Sequence, residues 1–183
     1  MEVNAMIKAV RSFFIAIDID DEEIIGRVRA FQKKLMNQNF AEIQSNERLH
    51  ITLNFLGKLQ WKTINEIRVK LRKIHMNSFD TMLRGVKYFP SAKLPIRILW
   101  VSVESVGIRN LMEKVCAATL DRYAEEIPHV TIARVRKIVD ATRLKKFIGN
   151  YKNYFFGKFH VNCFSLKANV GGKYVDIERY PLL

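Results

Sequence analysis

Apolar positions along this chain switch between a strand-like rhythm and a helical one. Residues 11–18 (RSFFIAID) form an aromatic and branched run that predicts a buried strand. A helix follows, since Asp20 with Glu23 three places on has the form of a capping box, and Ile24, Val28, Phe31 and Leu35 recur at helical spacing. A short strand is expected at residues 41–44 and a clear one at 48–56, closed by Gly57. Ile64, Ile67, Leu71 and Ile74 mark a second amphipathic helix over 63–75, its other face Lys and Arg. Residues 79–89 read as a strand that stops at Pro90.

The second half repeats the plan. A strand at 97–103 (RILWVSV) precedes a helical stripe of Ile108, Leu111, Met112, Val115 and Ala118. Pro128 introduces a strand at 129–135, and Asp140 caps a helix whose Leu144, Phe147, Ile148 and Tyr151 share a face. Strands at 155–161, 164–168 and 173–177 finish the chain, with Gly171-Gly172 as the turn between the last two. The halves match in order of elements, not in residue identity. This order implies an α+β fold of two lobes related by an approximate twofold, with antiparallel sheets. No Gly-, Ser- or Pro-rich linker parts the halves, so residues 1–183 are expected to form one domain of two lobes with interleaved strands, with residues 1–10 a flexible leader.

Hydrophobic residues make up 49% and charged residues 27%, which fits a folded domain. Charge changes the picture more. Thirty-one Lys and Arg against eighteen Asp and Glu give +13, a field that attracts polyanions, and nucleic acid becomes the leading partner class. The bland alternative is a basic surface that only aids solubility. Cys116 and Cys163 stand alone, without the spacing of a disulfide scaffold or a zinc site. The apolar run from Phe13 to Ile17 is ended by Asp18, too short for a signal sequence, and no segment approaches the ~20 apolar residues of a membrane helix. A cytoplasmic protein without a membrane partner, monomeric, is expected.

Two strings carry the chemistry: His50-Ile51-Thr52-Leu53-Asn54-Phe55-Leu56-Gly57 and His129-Val130-Thr131-Ile132-Ala133-Arg134, one His-x-Thr per half in matching strand settings. Side chains alternate along a strand, so His50, Thr52 and Asn54 are expected on one face, and His129 and Thr131 on one face of the other strand. A neutral imidazole can take a proton while an imidazolium opposite gives one, and a reference pKa near 6.5 lets both forms coexist. The threonine hydroxyls can donate to the oxygens of a phosphate between the dyads, so neither metal nor cofactor is required. A single His-x-Thr is more often a solvent-facing polar pair; the repetition at equivalent places favours chemistry. His75, expected at a helix end, and His160, an exposed strand residue, lack such company. By strict alternation Arg134 faces away from His129, and it reaches a phosphate only if the strand twists or ends there. Tyr88, Phe89, Tyr151, Tyr154, Phe155 and Phe156 could stack bases but more often such residues are core. The lysine pairs at 33–34 and 145–146 read as solvated helix faces.

The strings HITLNFLG and HVTIAR, their placement in the two halves and the opening FFIAIDI resemble the 2H phosphoesterases, specifically the bacterial and archaeal RNA 2′,3′-cyclic phosphodiesterases, also called 2′-5′ RNA ligases. The resemblance implies a bilobal α+β fold with antiparallel sheets lining a central cleft and helices outside. It implies metal-independent hydrolysis of a 2′,3′-cyclic phosphate at RNA ends, tRNA fragments among them, to a 2′-phosphate, and with roles reversed a 2′-5′ ligation. His50 would then be the proton donor to the leaving 3′-oxygen, His129 the acceptor that activates water, and Thr52 and Thr131 the phosphate holders, with Arg134 a further substrate contact. Asn54 stands where Lys or Arg is frequent, and Ile132 where Leu is usual. Two other readings stay open: a non-catalytic RNA-binding module, and a phosphodiesterase of a small nucleotide such as a 2′-5′ oligoadenylate or an ADP-ribose cyclic phosphate.

Overall fold

A computed structural model describes residues 10–45, 48–90, 95–119 and 127–183. Its elements in chain order are β1 (Val10–Asp18), α1 (Glu22–Met36), β2 (Ala41–Ser45), β3 (His50–Gly57), α2 (Trp61–Leu71), β4 (Phe79–Phe89), β5 (Ile98–Glu104), α3 (Val106–Thr119), β6 (His129–Ile138), α4 (Ala141–Gly149), β7 (Phe155–Val161), β8 (Cys163–Val170) and β9 (Lys173–Pro181). The expected order holds, with local corrections. Asp21, not Asp20, caps α1, because the Ile24 N–H that needs an acceptor lies three residues after Asp21, whose Oδ1 takes it at 2.9 Å. Helix α2 ends at Leu71, so His75 lies beyond the helix rather than at its last turn. The leader expected over 1–10 lies outside the described residues except for Val10, which is buried in β1 and pairs with Val170.

All strand pairs are antiparallel and run in the order β7-β4-β5-β6-β3-β1-β8-β9, with β2 added on β6. Each lobe borrows a strand. β4 follows the first-half helix α2 yet pairs with β5 and β7, whereas β8, from the second half, pairs with β1. The lobes therefore share one core, which matches the absence of a linker. Between β3 and β6 one residue pair, Ile51 with Val130, joins the lobes. Beyond it the two strands part, and β2 takes over the edge of β6 from Ala133 to Ile138.

Helices pack on the outer side, α1 against β2, β6 and β7 and α3 against β3 and β4. The stripe Ile24, Val28, Phe31 and Leu35 is buried as its spacing demands, as are Ile108, Leu111, Met112 and Val115 of α3. At roughly 1.5–3 kcal/mol for each large apolar side chain taken from water, these stripes fix the helices to the sheet far more firmly than their caps do.

Alternation fails at the same point in each histidine strand, and each strand has a further register shift nearer its end, at Leu56 on β3 and at Arg136 on β6. On β3, Ala16 pairs with Thr52 but Ile15 with Asn54, so Leu53 is an extra residue. On β6, Trp100 pairs with Thr131 but Leu99 with Ala133, so Ile132 is extra. Each is a β-bulge placed directly after the motif threonine, and each turns the rest of its strand over. Asn54, expected beside His50 and Thr52, is instead 0% exposed on the core side, where its Nδ2 donates to Thr119 Oγ1 of α3 at 2.7 Å. Phe55 takes the open face and is 45% exposed. The second bulge has its own support: Gln32, buried on α1, donates to the Ile132 carbonyl at 2.7 Å.

Replacing Asn54 with alanine removes a fully buried hydrogen bond and opens a small void. Unfolding in urea should show a loss of about 1–3 kcal/mol. A stability equal to the parent's would mean that this bond does not hold the bulge.

Candidate active site

The Ile51–Val130 pair lies one residue after each histidine. Carrying that antiparallel register one step either way sets His50 opposite Thr131 and Thr52 opposite His129. Four candidate side chains thus share one patch of the concave face, all half-buried.

Both rings are held alike. His50 Nδ1 donates to the Arg48 carbonyl at 3.1 Å, and His129 Nδ1 donates to the Ile127 carbonyl at 2.8 Å, each two residues back. A neutral ring so bonded carries its proton on Nδ1, which makes Nε2 its basic, unprotonated nitrogen. Aromatic rings fix the planes. Phe14 and Tyr174 flank His50, each at 5.5 Å between centroids, while Phe89 and Trp100 flank His129 at 5.4 and 5.5 Å. Of the aromatics considered from the sequence, Phe89 belongs to the site, and Phe156 is core.

The surroundings differ in charge. Register places Asp18 beside His50 and Ser102 beside His129. Lys167, only 6% exposed, donates to Asp18 Oδ2 at 2.6 Å and also pairs with Asp176. Burial is the largest influence on His50 and lowers its pKa below the ordinary histidine value; the Arg48 carbonyl and Asp18 work against this, while Lys167 and His129 add to it. The unliganded protein therefore favours a neutral His50. Ser102 Oγ and Trp100 Nε1 are buried near His129 without a hydrogen-bond partner.

The second bulge changes the reading of Arg134. With Ile132 extra, the residue two after it returns to the histidine face, so Arg134 is brought to the cleft side and not away from it. It lines a pocket of about 640 Å³ with Arg48, Lys173 and Tyr174. His160 stands apart, exposed and paired with Asp80 at 3.0 Å, and His75 is exposed as well. Residues 33–34 and 145–146 are exposed on helices.

Sequence reasoning missed Lys167, Tyr174, Phe14 and Gln32. Lys167 had a signal, since it is the lone charge in the strand run Phe164 to Ala168. Tyr174 had one too: the Gly171-Gly172 turn, both residues at positive φ and the second bonded to Asn169 Oδ1 at 2.9 Å, sends β9 back beside β8 and over the cleft.

Known proteins share the fold and stretches of the sequence. The family model described as LigT like Phosphoesterase matches residues 17–100. An RNA 2′,3′-cyclic phosphodiesterase of Thermotoga maritima is 33% identical over 135 residues, 69% of this chain and 71% of its own. Another of that name, from Methanocaldococcus jannaschii, is 29% identical over 171 residues, 90% of this chain and 96% of its own. The crystal structure of E. coli LigT complexed with 3′-AMP superposes with a TM-score of 0.72 at 19% identity, covering 95% of this chain and 98% of that one, a likeness of fold.

Nitrogen-detected NMR of the free protein should find His50 as the Nδ1–H tautomer, taking its second proton only in solution more acidic than an ordinary histidine requires. Adding inorganic phosphate should raise that value, because an anion beside the ring favours the imidazolium. A His50 that titrates at or above the ordinary value without ligand would contradict the burial argument.

Proposed function

The chain belongs to the LigT-like phosphoesterases, and on that premise we propose that it hydrolyses the 2′,3′-cyclic phosphate at RNA ends to a 2′-phosphate, with His50 and His129 as acid and base. The observation that carries the reading is the matched pair of Nδ1–carbonyl bonds around one inter-strand bridge, which offers both Nε2 atoms to the same cleft.

In this mechanism His129 Nε2 takes a proton from water as its oxygen attacks phosphorus. The bond from phosphorus to O3′ breaks, and the proton on His50 Nε2 passes to that oxygen, leaving the phosphate on O2′. Thr52 and Thr131 hydroxyls donate to the non-bridging oxygens, and Arg134 adds positive charge at the cleft wall. A neutral His50 suits this role once substrate is bound: the phosphate anion draws onto the ring the proton that it later gives up. The 5′-hydroxyl of a second RNA in place of water gives a 2′-5′ linkage by the same transfers, so ligation from the cyclic phosphate needs no exchange of roles between His50 and His129. The net charge of +13 supports RNA over an uncharged ligand. No helix among the described residues is long and apolar enough to cross a membrane. We take a cytoplasmic monomer acting on ends such as those of tRNA fragments as the working form.

Product analysis on a short RNA with a 2′,3′-cyclic phosphate tests the reading. A 2′-phosphate is expected; a 3′-phosphate would reverse the bond that opens, and no product would leave an RNA-binding module. His50→Ala and His129→Ala should each lose about 10²–10⁴ in turnover while RNA affinity changes little. Unaltered turnover in either would remove that residue from the mechanism.

A further inference from the structure

Two pockets meet beside His50, and they differ in charge. One, of about 540 Å³, is lined by Asp18, Asp20, Glu22 and Asp176, with Arg48, Lys167 and His50 as its basic groups. Lys167 is already engaged by Asp18 and Asp176. The other, of about 640 Å³, brings together Arg48, Arg134 and Lys173 with Gln44, Ser45 and Tyr174, and no acidic residue among the described residues lines it. Arg48 and Tyr174 form the shared wall, tied by the Arg48 guanidinium donating to the Tyr174 carbonyl at 2.7 Å.

Three separate features build the basic pocket. The bulge at Ile132 delivers Arg134, the glycine turn delivers Lys173 and Tyr174, and the chain entering β3 delivers Arg48. Arg48 and Tyr174 also hold His50, through the Arg48 carbonyl and the Tyr174 ring, but the charged ends of Arg48, Arg134 and Lys173 are separate from those contacts. A cyclic-phosphate end has no nucleotide beyond it, so its chain leaves the catalytic pair only through the 5′ side. The first further charge it presents is the phosphodiester joining the last two nucleotides. The acidic pocket repels that charge and the basic one attracts it.

We propose that the pocket formed by Arg48, Arg134 and Lys173 receives this penultimate phosphodiester, so that the enzyme selects cyclic-phosphate-terminated oligonucleotides over mononucleoside cyclic phosphates. The inference rests on the phosphodiesterase reading and adds the polarity of the bound strand: the RNA body runs over the β8–β9 turn, away from Asp20 and Glu22.

The test compares kcat/KM for a nucleoside 2′,3′-cyclic phosphate, a dinucleotide ending in the same group, and that dinucleotide with an uncharged methylphosphonate linkage. The wild-type protein should favour the charged dinucleotide, and the methylphosphonate should fall toward the mononucleoside. Lys173 is an exposed turn-end residue, so Lys173→Gln should fold as the parent does. That variant should lose about three- to tenfold on the charged dinucleotide, with Lys173→Glu losing more, and neither should change on the mononucleoside or the methylphosphonate. Equal kcat/KM for all three substrates in the wild type, or a Lys173→Gln loss that is the same on all three, overturns the subsite. Absence of turnover on every substrate overturns the phosphodiesterase reading beneath it instead.

Discussion

Everything at the centre of this molecule depends on one short stretch of backbone pairing, where Ile51 meets Val130. The two residues are fully buried and lie between a histidine and a threonine on each strand. Because antiparallel pairing crosses the two motifs, each histidine faces the other strand's threonine. Were either strand to slip by one residue, its histidine and threonine would turn to the core and its own apolar residue, Ile51 or Val130, to water. The apolar residue between each histidine and threonine is therefore the part of the motif that holds the register.

The two lobes use one plan but not one chemistry. At equivalent register positions the neighbour of His50 is Asp18 and that of His129 is Ser102. A buried lysine between two carboxylates backs the first ring, and an indole stacked on Phe89 at 4.7 Å backs the second. A symmetric frame thus gives the two imidazoles unlike electrostatic surroundings.

Much of this was legible in the residues. The helical stripes, the strand runs, the Gly171-Gly172 turn and the repeated His-x-Thr were visible because burial imposes periodicity and a tight turn imposes glycine. The bulges were not. Leu53 and Ile132 are ordinary strand residues, and the extra position reveals itself only against a partner strand. That is why Asn54 was expected in the cleft and lies in the core, and why Arg134 was left undecided. Interleaving of strands between the lobes is part of the sequence reading, but which strands cross is not, since β4 and β8 carry no mark of which sheet they join. Lys167 and Tyr174 reach His50 from positions more than a hundred residues away, a distance no local pattern spans.

The backbone carbonyls that hold the two imidazoles have one more consequence. In many acid/base pairs a carboxylate fixes the ring and also raises its basicity; here a peptide oxygen fixes it and adds little charge. At His50 the same carbonyl does two things: it secures the tautomer and raises the ring's proton affinity against the lowering by burial, ahead of Asp18 and Lys167. Because that carbonyl belongs to the main chain, side-chain substitution cannot remove it. Exchanging Asp18 or Lys167 therefore shifts the proton affinity of His50 while the ring stays where the backbone holds it.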